Sequence, residues 1–257
     1  MNVLLKILIT TCLITACLFM GVLPQMGAEP TGAYWTVCNT DVVDTHTTNI
    51  CVVNYFQLFH HHSEQPEMWP IDVGLTYGLF TWNDMKAEIG IDYITPTRDP
   101  VYFNAKVGID EEKLFPYSPG MSVGIFDVGT KTHGPNKTNQ DIVNVCFSKS
   151  LPDAMMIGGR VTVGGFGGNH AMGKNRVGVM LAYNRAFCAV KDASGTEYNK
   201  WGFIADYATG KNTGGGGGFG VTCNFTPTIN ITTGPTWFND HTINGSWQWT
   251  IQLSVSV

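Results

Sequence analysis

From about residue 48 to residue 257, apolar and polar side chains alternate in segments of roughly ten residues, with turn-forming residues between them. The clearest segment is Trp247-Gln248-Trp249-Thr250-Ile251-Gln252-Leu253-Ser254-Val255-Ser256-Val257, where odd positions are apolar and even ones polar. Successive strand side chains point to opposite faces, so such a segment has one greasy face and one wet face. In the same way Ala87, Ile89, Ile91 and Tyr93 alternate with Lys86, Glu88, Gly90 and Asp92, and Phe103, Ala105, Val107 and Ile109 with Asn104, Lys106, Gly108 and Asp110. The pattern predicts twelve strands, at about 48–58, 70–80, 85–95, 101–110, 119–129, 140–149, 154–166, 175–185, 198–208, 217–226, 228–237 and 246–256. Their length suits tilted membrane strands of about 9–11 residues.

The connections alternate as well. Thr81–Asp84, Leu151–Asp153 and Thr226–Pro227 read as tight turns. His60–Trp69, Thr130–Asn139, Gly167–Lys174, Thr209–Gly216 and Phe238–Gly245 read as longer polar loops. Short turns on one side and long loops on the other are the habit of outer-membrane barrels. Two connections fit less well: Thr95–Pro100 is short for an outer loop, and Ala186–Asn199 is long for a turn. Aromatics gather near strand ends, with Tyr93, Tyr102, Phe126, Tyr183, Tyr207, Trp237 and Trp247 towards the loops. Phe80, Trp82, Phe115, Tyr117, Phe147, Phe187 and Phe225 lie towards the turns, which predicts two interfacial girdles. A soluble β-sandwich is the competing reading. Glycines on the inner parity (Gly74, Gly78, Gly90, Gly108, Gly158, Gly178, Gly202, Gly220) favour a barrel, because a sandwich fills its inner face with bulky groups.

Composition narrows the class. Net charge is −5 and the pI about 5.7, with no Lys/Arg run, so nucleic acid is not an expected partner. Beyond the N-terminus no apolar run approaches the ~18 residues of a helical span, and a membrane protein of this profile has to be a closed barrel. Residues 1–28 read as a cleaved secretory signal: Lys6 precedes the apolar stretch Ile7–Val22, and Gly27-Ala28 follow as small residues. The alternative is a lipoprotein signal with Ile14-Thr15-Ala16-Cys17 as the attachment motif. Residues 29–47 are then a periplasmic N-terminal segment and 48–257 the barrel. Five of the seven cysteines lie beyond the signal (Cys38, Cys51, Cys146, Cys188, Cys223), widely spaced and without a zinc-site pattern. A Cys38–Cys51 bridge is one option for them.

The stretches Asp72–Leu79 (DVGLTYGL), Val101–Gly108 (VYFNAKVG), Val123–Gly129 (VGIFDVG) and Trp249–Val257 (WTIQLSVSV) resemble strands of Gram-negative outer-membrane β-barrel proteins of the porin-like kind. The resemblance covers everything after the signal. It implies an all-β fold: a single closed antiparallel up-and-down transmembrane β-barrel with short periplasmic turns and longer extracellular loops. It also implies outer-membrane lipid and the barrel assembly machinery as partners, and no cofactor.

Charges on the inward parity are Lys86, Glu88, Asp92, Lys106, Asp110, Arg160, Arg176, Lys200 and Asp206. They would either select solutes at a constriction or neutralise one another and fill the lumen. With Lys106 facing the lumen and Val107 the lipid, Lys106→Gln should be tolerated and a charge at Val107 should not. Six histidines fall in expected loops: His60, His61, His62, His133, His170 and His241. If those loops met at one mouth, their imidazoles would suit a transition metal. Phosphate loops, nucleophile elbows and zinc-protease motifs are absent, and no expected strand carries a His in its middle to act as a base, so an enzyme is not expected. The functional expectation is a small passive channel for polar solutes. The alternative is a non-conducting structural or surface-binding barrel, with metal capture by the loops as one form of it.

Overall fold

The computed structural model describes residues 33–57, 71–134, 136–152, 158–245 and 247–257. The expected signal 1–28, Cys17 and His60–His62 lie outside the described residues. Twelve strands form: β1 (Thr48–Phe56), β2 (Ile71–Trp82), β3 (Met85–Thr95), β4 (Val101–Ile109), β5 (Gly120–Gly129), β6 (Ile142–Ser150), β7 (Arg160–Gly167), β8 (Val177–Lys191), β9 (Glu197–Ala208), β10 (Gly216–Thr226), β11 (Ile229–Phe238) and β12 (Trp247–Ser256). Each pairs antiparallel with its neighbours in sequence, and β1 pairs with β12, from Asn49↔Ser256 to Phe56↔Trp249, to close the barrel. Closure leaves no free edge along the ring of strands, so most strand backbone groups meet partners within the wall; the far end of β8, beyond Asn184, pairs with β9 alone.

The period of two decides what each face shows. Ile89, Ile91, Phe103, Val107, Val123 and Val179 are exposed on the outside, while Glu88, Lys106, Ser122, Asn144, Thr162 and Asp206 are buried inside. This is the reverse of a water-soluble protein, whose buried set is mainly apolar. The turn-side aromatics Phe80, Trp82, Phe115, Tyr117, Phe147, Phe187 and Phe225 are all exposed. On the loop side Tyr93, Tyr207 and Trp237 are exposed, but Tyr102 and Phe126 are buried. Those two occupy inward positions, beside Lys106 and Gly124 in the period-two count, and belong to the interior rather than to a girdle.

The long connection at Ala186–Asn199 is explained by β8 and β9. Their pairing continues from Met180↔Ala208 to Lys191↔Glu197, so most of the stretch is hairpin. The Asp192 carboxylate closes the tip, accepting from the backbone of Ser194 and Thr196 at 2.8 and 2.9 Å.

The largest departure concerns the N-terminal segment. Residues 33–47, expected on the periplasmic side of the wall, run inside the barrel. They descend from the loop-side mouth, where Trp35 Nε1 donates to the Gly214 carbonyl at 3.0 Å, to the turn-side end, where His46 N donates to Gly78 O at 2.9 Å. The stretch shows no period, because each of its residues faces a different part of the wall and both sides of its backbone are covered. Inner glycines provide the room. A Cβ at Gly78 would lie 2.0 Å from the Asp44 carbonyl oxygen, and one at Gly218 would lie 2.4 Å from the Tyr34 ring.

Candidate functional site: an occupied lumen

The candidate site is the contact between the luminal segment and the wall. Its upper part is held by β9. Asp206 Oδ2 accepts from the backbone N–H groups of Tyr34, Trp35 and Thr36 at 2.9, 2.8 and 2.7 Å, and from the Thr36 hydroxyl at 2.9 Å. A single carboxylate thus gathers three consecutive amides that would otherwise be buried without an acceptor. Gln252 of β12 donates to the Tyr34 carbonyl at 2.9 Å. Trp35 packs edge-on against Tyr55 and Phe238.

The lower part is held by charges. Arg160 of β7 donates to Asp41 through both terminal nitrogens, Nη1 to Oδ1 at 2.6 Å, and also to Asn39 Oδ1 at 3.3 Å. Lys86 Nζ bridges Asp44 of the segment and Asp110 of the wall at 2.8 and 3.0 Å. Glu88 Oε2 accepts from Val43 N at 2.6 Å, and its other oxygen lies 3.3 Å from Lys106 Nζ. Uncharged contacts finish the fit: Ser122 donates to Asn39 O at 3.0 Å, Asn144 to Val37 O at 3.0 Å, and Thr40 and Ser148 share a 2.6 Å hydroxyl contact.

Among the charges expected inside, Lys86, Glu88, Lys106, Asp110, Arg160 and Asp206 therefore meet either the segment or one another. Three do not join them. Asp92 accepts from Asn104 of β4, closer to the loop side. Arg176 stands in the β7–β8 loop, where its carbonyl accepts from Gly168 N at 2.9 Å. Lys200 lies near the turn-side end of β9 with its ammonium 5.5 Å from the centre of the Phe225 ring. The expected tolerance of Lys106→Gln also needs correction. Lys106 is 2% exposed and its partner Glu88 equally hidden, so this inward face is a packed interior and not a water-lined one. Two cavities beside the segment hold only about 20 and 10 Å³, the first lined by Ala33, Cys51 and Gln252, the second by Cys38, Arg160 and Tyr183.

His133, His170 and His241 sit in three separate loops of the same mouth, the last two in the helical turns His170–Met172 and His241–Asn244. Among the described residues no three His, Cys, Asp or Glu side chains come together as a metal site. The residues that sequence reasoning missed are those of the segment itself, Tyr34 to Asp44. The inner glycines that accommodate it were visible, but they marked a narrow lumen without saying what narrows it.

No family model matches the chain. Among curated proteins none matches either. Solved structures do. The NanC porin is similar with a TM-score of 0.36 at 10% identity, over 80% of this chain and 98% of that one. An outer membrane channel from Pseudomonas putida F1 is similar with a TM-score of 0.40 at 11% identity, over 92% of this chain and all 100% of that one. The chain is similar to outer-membrane barrels. OmpF of Salmonella typhi, with a TM-score of 0.32 at 6% identity, matches over 82% of this chain and 96% of that one.

Proposed function

We propose that this protein is an outer-membrane β-barrel that holds its own lumen shut with residues 33–47, and that polar solutes cross it only when that segment withdraws. Outer-membrane lipid would cover the apolar exterior, and the barrel assembly machinery would insert the wall. The apolar outward face of a fully closed sheet supports the membrane location. Among the described residues no helix is long and apolar enough to cross a membrane, so the strands are what would cross it. The closed state rests on a single observation: the segment runs the length of the lumen, bonded to strands on every side of it.

Conductance in planar bilayers tests this. The full chain should be silent or flicker rarely, whereas protein lacking residues 33–43 should conduct steadily. Steady conductance by the full chain would show that the segment does not close the pore. Silence from a folded, truncated barrel, with folding read from the mobility difference between unboiled and boiled samples, would leave the second reading. That reading is a non-conducting structural or surface-binding barrel, favoured by the density of buried contacts along the segment. The membrane location has its own check: protein that stays soluble without detergent would rule it out.

A further inference from the structure

Two of the five described cysteines meet inside the barrel. Cys38 is on the luminal segment and Cys146 on β6; they are 1% and 0% exposed and belong to one buried cluster with Phe166 and Met180. The contacts of each thiol place the two side chains in one neighbourhood. Cys38 Sγ lies 3.7 Å from Thr162 O on β7, and Cys146 Sγ lies 3.8 Å from the carbonyl of Val37, the residue before Cys38. On β7, Gly164 pairs with Cys146, and a Cβ there would come within 2.7 Å of the Cys146 sulfur. Glycine at 164 thus leaves the space in which that thiol points towards the segment. The remaining cysteines are placed otherwise: Cys188 is exposed, and Cys51 and Cys223 are half-buried on β1 and β10.

We propose that Cys38 and Cys146 form a modification site, in which a disulfide made by exchange with an oxidised dithiol latches the luminal segment to the wall. One cysteine, as thiolate, attacks a sulfur of the oxidant's disulfide and releases one of its thiols. The second cysteine then displaces the mixed disulfide and releases the other. The pair loses two electrons and two protons, and the oxidant's disulfide gains them as two thiols. The compartment this protein would fold in, outside the cytoplasm, sustains such exchange. Timing follows from burial. Once the segment is seated, both thiols are buried and no oxidant reaches them. Exchange therefore begins on one cysteine while the segment is still loose, and seating brings up the second to complete the bond. The latch records that the segment has docked.

The bond itself does not depend on the channel reading; its effect on flux rests on that reading, and the test separates the two. The full chain is refolded in detergent with oxidised glutathione, remaining thiols are alkylated, and peptides are mapped without reduction. A Cys38–Cys146 peptide is expected, absent after reduction. Quantitative alkylation of both thiols, or a Cys38–Cys51 peptide in its place, would overturn the latch. The unmutated chain decides this, so no variant has to fold. Flux is then read in the Asp206→Ala background, where the upper attachment is lost. Oxidised protein should stay closed, and a phosphine reductant should raise its conductance at least tenfold. A confirmed Cys38–Cys146 peptide with flux unchanged by reduction would keep the latch and overturn the gated channel.

Discussion

The two halves of the luminal segment are held by opposite means. Tyr34, Trp35 and Thr36 contribute mainly backbone amides, and the wall contributes the charge, Asp206. Asn39, Asp41 and Asp44 contribute their own side chains, and the wall answers with Arg160 and Lys86, with backbone contacts at Asn39 and Val43 beside them. The Asp206 contact asks only for backbone N–H groups at 34 and 35, whose rings pack separately against the wall, whereas the lower attachment reads the charges at 41 and 44. A backbone attachment fixes position, and a side-chain attachment fixes register along the barrel axis.

The largest effect is expected at Asp206. Asp206→Ala leaves three buried amides without an acceptor, each costing roughly 1–3 kcal/mol. Amide exchange at residues 34–36 should accelerate while exchange at 39–43 stays slow; uniform acceleration would mean that the halves dock as one unit. Next is Lys106→Gln, which strands the buried Glu88 and should destabilise the barrel by about 3–5 kcal/mol. Lys106→Met with Glu88→Gln, which keeps an acceptor for Val43 N, should recover most of that loss in denaturant melts, and failure to recover would point to a role beyond pairing.

Arg160→Gln comes third. It removes a two-pronged, partly buried contact and should weaken only the lower half, by about 1.5–3 kcal/mol. The smallest effect is expected at Lys86→Gln, because its ion pairs are partly solvated: about 1 kcal/mol or less, lost in high salt.

The wall was legible because its physics is local. Lipid outside and packed polar groups inside force every strand to alternate, and Val177–Ala182 or Trp247–Gln252 display this in a few residues. The strand bounds moved most at β8, which continues to Lys191, and at β7, which begins at Arg160 rather than near 154. The lumen was half legible. Inward parity identified Lys86, Glu88, Lys106, Arg160 and Asp206, but not what they hold. Their partners lie far along the chain, with Tyr34 separated from Asp206 by 172 residues. An aperiodic segment covered on both sides of its backbone leaves no repeat to read. The Cys38 and Cys146 contact was hidden for the same reason, since spacing alone left Cys38–Cys51 equally open.

The path of residues 33–47 also constrains the order in which the molecule is made. The segment immediately precedes β1, and β1 and β12 together form the seam that closes the barrel. Were the seam to close first, an extended strap bearing Trp35 and Asp41 would have to be threaded through a ring already packed with side chains. If instead the open sheet curls around a strap lying along its inner face, no threading is needed, and the strap serves as a mandrel on which the last two strands meet. Zipping of the seam would then be the final event of biogenesis, and the interior would be furnished before it is enclosed.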